Sequence, residues 1–270
     1  MGWMGKLIGG TLGFVLGGPI GAIAGAAFGH TIDKSSEIGT AQGGTRTGYF
    51  QRTGPFGMGV GGYGTGVSSQ QRSQMVFFVG TFSMLARVAA ADGTVSEAET
   101  RKVREFMRQD LRLDPQSISV AERIFNSALY SSQNFDELAS QFYGEFRSQP
   151  QILELLIDIF YRVAAVDGGV SQSEEEYIQQ AARIFQFSQQ RIDTIRKRYV
   201  ASDERYYAVL GVSPRDSNDE IKRAYRQLVR EYHPDTIASK GLPEEFTTFA
   251  NEKFREIQEA YEAVAKARGI

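Results

Sequence analysis

The chain has 270 residues, 41% hydrophobic and 23% charged, with a formal net charge of −2, a globular composition with room for about one to three domains. It has no cysteine and only two histidines, His30 and His233, which excludes disulfides, thiol catalysis and thiolate zinc sites and leaves no triad or zinc site with partners at motif spacing. Glycine is concentrated at the start, with 21 of the 29 before residue 67, and no segment is basic enough to point to nucleic acid.

From Leu7 to Gly29 there are 23 residues without a charge. At about 1.5 Å per residue a helix of that length reaches roughly 34 Å, enough for one bilayer crossing. A single transmembrane helix over about 7–29, within an N-terminal segment 1–34, is therefore predicted. Gly5, Gly9, Gly13, Gly17, Gly21, Gly25 and Gly29 recur at every fourth position, which on a helix makes a continuous shallow groove. In lipid, backbone contact along Gly9, Gly13, Gly17, Gly21 and Gly25 would drive association, so a homodimer through this helix is expected. Pro19 should kink the helix without breaking it. The competing readings are a flexible glycine-rich tail and a signal peptide cleaved near Ala24-Gly25-Ala26-Ala27; a lone Lys6 and too long an apolar run argue against the latter. Lys6 on one side against Lys34, Arg46 and Arg52 on the other slightly favours a cytoplasmic body.

Residues 35–72 are too poor in aliphatic side chains to bury a core and too rich in glycine to hold a helix, so a flexible tether is expected. Gly57, Gly59 and Gly62 match a GxGxxG pattern, but no strand precedes them and no helical pattern follows directly, so a nucleotide loop is rejected.

Next comes an internal repeat. Arg87–Glu99 (RVAAADGTVSEAE) and Arg162–Glu174 (RVAAVDGGVSQSE) align without gaps at an offset of 75 residues. Each copy follows an apolar helix, turns at Asp-Gly and restarts at Ser-x-x-Glu, where Ser96 with Glu99 and Ser171 with Glu174 form capping boxes. Further helical patterns over 118–130 and 135–147 complete an all-α domain at 73–200. The Asp-Gly-x-Val-Ser-x-x-Glu repeat resembles the tellurite-resistance TerB family. That resemblance implies paired acidic residues able to take a divalent cation, and Asp92, Glu99, Asp167 and Glu174 are the matching positions; oxygen ligands would suit Ca²⁺ or Mg²⁺ if the turns converge. The plainer reading is that Asp-Gly makes a turn and Glu a cap, with no metal.

The last segment, 203–270, opens with YYAVLGV at 206–212, a short helix closed by Gly211 and stopped by Ser213-Pro214. Ser217 and Glu220 then cap a helix reaching Tyr232, with Ile221, Ala224, Tyr225, Leu228 and Tyr232 as its apolar stripe and Lys222, Arg223, Arg226 and Arg230 as a positive ridge. A third helix, about Glu244 to Lys266, should set Phe246, Phe249, Ala250, Phe254, Ile257, Ala260, Tyr261 and Val264 against that stripe. His233-Pro234-Asp235 then falls at the tip of an antiparallel hairpin, in an exposed turn stiffened by proline. YYAVLGV, the basic helix, His-Pro-Asp and KFREIQEAYEAV in this order resemble the J-domain closely. The resemblance implies that Lys222, Arg223, Arg226 and Arg230 dock a DnaK-type chaperone in its ATP state, while His233, Pro234 and Asp235 couple docking to hydrolysis. The ATP chemistry would be the partner's, so the chain is not expected to be an enzyme and needs no cofactor beyond the candidate cation.

The order of segments resembles the DjlA type of membrane-anchored bacterial DnaJ-like co-chaperone, and the extended stretch Ala238–Glu245 also fits it. The resemblance implies an all-α protein of the bacterial inner membrane with a single pass and its C-terminal body in the cytoplasm. The glycine-aromatic tether is a departure the family does not explain. The alternative function is an envelope sensor or scaffold acting through the TerB-like domain, with cation or partner bound there.

Overall fold

The computed structural model describes residues 16–33, 68–93, 95–167, 169–199 and 205–270, and every regular element among them is helical. In chain order these are α1 (Gly18–Asp33), α2 (Ser69–Ala89), α3 (Glu97–Glu105), α4 (Pro115–Leu129), α5 (Phe135–Phe146), α6 (Pro150–Ala164), α7 (Gln172–Ile184), α8 (Gln189–Lys197), α9 (Arg205–Leu210), α10 (Asn218–Glu231), α11 (Pro234–Ala238) and α12 (Glu244–Arg268). Most starts follow the capping chemistry. At Ser96, Ser171 and Ser217 the hydroxyl accepts the N3 amide, and Glu99, Glu174 and Glu220 accept the cap amide in return at 2.6, 2.9 and 2.8 Å. Each cap is worth about 0.5–2 kcal/mol. Helix α2 begins at Ser69 behind a Ser68–Gln71 box, inside the stretch read from composition as tether.

Helix α2 forms the axis of the larger body. From Met75 to Ala86 every side chain is buried, as expected of a helix that is apolar on all faces, and it packs on α1, α4, α5, α6 and α7. Helix α6, the second apolar helix of the repeat, is almost as deeply enclosed, yet its buried residues include Glu154 and Asp158. The two copies therefore pack together, as expected of paired hairpins.

The N-terminal segment departs from expectation in detail. Gly9 and Gly13 lie outside the described residues. Gly17 and Gly18 both adopt φ +58°, a conformation open to glycine at little cost, so the backbone turns sharply just before Pro19. The expected kink at Pro19 is thus a break ahead of it, and Pro19 sits in the first turn of α1, where its missing N–H costs no hydrogen bond. Gly17 leaves the ridge for the same reason, while Gly21 is buried and Gly25 half-buried. Helix α1 lies on α2, α4 and α5. Among the described residues no helix is long and apolar enough to cross a membrane.

The terminal hairpin is present, with α10 and α12 in contact and Tyr225 stacked on Tyr261 at 3.9 Å. Its third helix does not spend all its apolar residues on the second. Phe246 reaches the rings of Phe77, Phe78 and Phe82 on α2, at 4.7, 6.1 and 6.1 Å. Phe249 meets Phe106 at 5.8 Å. The expected pairing of Phe246 and Phe249 with α10 is corrected by this: the N-terminal half of α12 belongs to the core of the larger body. Phe106 is aimed there by a π-helical turn over Phe106–Asp110 that follows α3, a local rewinding of the kind that re-aims side chains.

Candidate functional site

The sequence places the chemistry at the hairpin tip, and local structure explains its shape. His233, at φ −56° and ψ 135°, is held out of the helix by the following proline and N-caps α11. Its Nδ1 lies 3.3 Å from the Asp235 amide nitrogen and 3.7 Å from the Asp235 carboxylate. The exposed, proline-stiffened turn takes the form of a one-turn helix that Pro234 starts, with Pro at the first position where it is best tolerated. The ring of His233 stands edge-on to Phe254 at 5.8 Å. Its side chain remains 47% exposed and that of Asp235 95%, so both polar groups face solvent.

Arg223, Arg226 and Arg230 are exposed and Lys222 half-buried. Arg226 Nε donates to the Lys222 carbonyl at 3.2 Å. Three guanidinium groups within three turns, next to the tip, form a face suited to an acidic surface.

The opposite side of the hairpin is pinned, by residues that sequence reading missed. Lys253 of α12 is 4% exposed and donates to Asp158 Oδ1 at 3.0 Å, with Asp158 fully buried. Arg198 donates to both Asp158 and Glu154 at 3.1 Å, and Arg191 pairs with the other oxygen of Glu154. Tyr199 adds a 2.9 Å hydrogen bond to Asp158. Burial pushes the Asp158 carboxyl upward, but Lys253 and Arg198 more than offset it and hold it below its ordinary value of 3.8. Tyr232, immediately before the tip, is 1% exposed in the same cluster. Burial and then the carboxylates of Glu154 and Asp158 push its hydroxyl well above the ordinary phenol range. A signal was available: Glu154 and Asp158 lie four apart on an otherwise apolar helix, so both need buried cationic partners.

The segment after the tip is held as well. Lys240 Nζ donates to Gln151 Oε1 at 2.6 Å, and Gln74 Nε2 donates to the Leu242 carbonyl at 3.2 Å. Gly241 takes φ +72°, and a Cβ there would stand 3.3 Å from Gln70 Cγ. A cleft of about 600 Å³ remains beside Arg162, Arg205 and Lys253, but these cations face Asp110, Glu256 and Asp158 respectively.

Nothing among the described residues supports a cation at the candidate positions. Glu99 and Glu174 are engaged as caps, the side chain of Asp167 lies outside the described residues, and Asp92 belongs to no metal-holding group. Among the described residues no group of three or more His, Asp or Glu could hold an ion. The Asp-Gly turn does its structural work, with Gly93 at φ +111°.

Residues 79–197 match the family model of tellurite resistance protein TerB, residues 205–268 that of the DnaJ domain, and residues 1–48 that of the co-chaperone DjlA transmembrane domain. A co-chaperone protein DjlA of Coxiella burnetii is 33% identical, with all of both chains covered. Those of Vibrio cholerae and Photobacterium profundum are 31% and 27% identical, covering 98% of this chain and 98% and 99% of theirs. No solved structure matches the chain.

Proposed function

The chain belongs to the DjlA family of co-chaperones, and we propose that its exposed hairpin face, Lys222, Arg223, Arg226 and Arg230 with His233, Pro234 and Asp235, is where it acts on a DnaK-type chaperone. It is a membrane-anchored J-domain co-chaperone, a regulator of a partner's ATP hydrolysis and not itself an enzyme. The observation that carries the residue-level reading is the asymmetry of the hairpin: one side is sunk in the larger body by Phe246, Phe249 and Lys253, while the basic ridge and the tip are left open. The ridge would steer encounter with an acidic surface and make it salt-sensitive. The tip, with Asp235 projecting and the His233 ring partly exposed, would supply contacts made on docking.

The finer arrangement follows the same reading. We take 1–34 as the membrane segment, 35–72 as the tether, 73–200 as the TerB-like domain and 203–270 as the J-domain. The body would lie in the cytoplasm at the bacterial inner membrane, with homodimerisation through the membrane segment. The experiment is ATP hydrolysis by a DnaK-type chaperone with full-length protein and with His233→Gln. The expected result is stimulation by the first and none by the second. Equal stimulation by both would remove the tip from the mechanism.

A further inference from the structure

Residues 16–28 are seated on the larger body by side-chain bonds to their backbone and by buried apolar side chains. Gln141 Nε2 donates to the carbonyls of Leu16 and Gly17 at 3.2 and 2.9 Å, and Gln141 Oε1 accepts the Ile20 amide at 2.8 Å. Ser127 Oγ donates to the Ile23 carbonyl at 3.3 Å, and Arg123 Nη2 to that of Ala27 at 2.7 Å. The Arg123 guanidinium also lies 4.7 Å over the Phe28 ring. Between these polar points the fit depends on missing side chains. A Cβ at Gly18 would come within 2.8 Å of Gln141 Oε1, and one at Gly80 within 2.9 Å of Phe142 and 3.2 Å of Ile20. Leu16, Ile20, Ile23, Ala24 and Phe28 are buried in the groove formed by α2, α4 and α5.

The same residues lie inside the 23-residue charge-free run that is long enough to cross a bilayer. They cannot be in lipid and in this groove at once, so anchoring empties the groove. We propose that the groove lined by Gly80, Arg123, Ser127, Gln141 and Phe142 is a binding site for an apolar, small-residue helix of another membrane protein, and that residues 16–28 fill it in cis when not in the bilayer. Side-chain bonds to backbone carbonyls place few demands on sequence, while the close approach at Gly18 and Gly80 and the burial of Gly21 select helices with small residues, the kind that pack tightly in membranes. Such a helix is insoluble alone and would gain from a groove that satisfies its polar backbone and covers its apolar face. That this site delivers clients to the J-domain rests on the co-chaperone reading; the binding itself does not.

The test needs neither chaperone nor ATP, so its failure is separable from failure of that reading. The chain has no cysteine, and Ser127→Cys in the full-length protein gives a single thiol in the groove. Maleimide labelling is compared in lipid-free buffer and in phosphatidylcholine–phosphatidylglycerol vesicles, then in vesicles with a lysine-tagged synthetic peptide of residues 14–30. Labelling should quicken about tenfold on reconstitution and slow about tenfold when the peptide is added, a difference of about 1.4 kcal/mol. The same peptide with Gly21→Leu should give no protection. Unchanged labelling on reconstitution, no slowing by the peptide, or equal slowing by the Gly21→Leu peptide would each overturn the proposal.

Discussion

Helices α2 and α6 carry the two copies of the repeat, and both meet the terminal hairpin, but through different forces. From α2 the contact is a cluster of rings, Phe77, Phe78 and Phe82 around Phe246. From α6 it is a buried ionic group, Asp158 with Lys253 and Arg198. The arginine that opens the shared motif differs too: Arg87 donates to the carbonyls of Ser131 and Gln133, whereas Arg162 pairs with Asp110. Ring packing adds stability through burial, whereas a buried ion pair contributes little net stability but penalises any arrangement that strands a charge. The contact from the first copy is thus a burial of rings and that from the second a match of buried charges.

Substitutions can break the comparison on either side. The largest loss is expected for Asp158→Ala, which removes the fully buried carboxylate shared by Lys253 and Arg198, leaves them only Glu256 and Glu154, and should cost about 3–5 kcal/mol in denaturant unfolding. Adding Lys253→Met should recover part of that loss, because a buried ammonium that has lost one of its two carboxylates is removed. Phe246→Ala should follow at about 3–4 kcal/mol through lost burial and a cavity, with no such rescue from Lys253→Met.

Acid separates the two contacts further. The Asp158 carboxyl is held below its ordinary value of 3.8 in the folded protein, so its contribution is complete above that value and is lost as the pH falls through the lower folded one. Asp158→Asn should therefore flatten the fall of stability at that acid edge, and Phe246→Ala should leave the slope as in the parent. The smallest effects belong to what the two copies share: Ser96→Ala and Ser171→Ala should each cost about 1 kcal/mol, and equally. Unequal losses would show that one turn has a role beyond capping.

Local chemistry was legible because it needs only neighbours in sequence. The caps at Ser96, Ser171 and Ser217, the turn at Gly93, the stop at Gly211 and the proline-held tip at His233 all follow from a few adjacent residues. The basic ridge was legible for the same reason, since spacing along one helix fixes its face. The pinned side was not. Phe246 and Phe249 continue the stripe of their own hairpin, and periodicity says that a face is buried without saying against what. Lys253 reads as an ordinary solvated lysine until Asp158, 95 residues earlier, is placed beside it. The π turn that aims Phe106 and the break before Pro19 are settled by tertiary contacts and by two adjacent glycines whose φ no periodic pattern reveals.

The central claim is that the hairpin offers its partner the ridge and tip while its other side stays in the larger body. Hydrogen exchange on the full-length protein, with and without an ATP-bound DnaK-type chaperone, tests this directly. The account predicts new protection confined to residues 218–238, with 244–257 already protected in the free protein and unchanged on binding. Protection gained across 244–257, or none at 218–238, would contradict it.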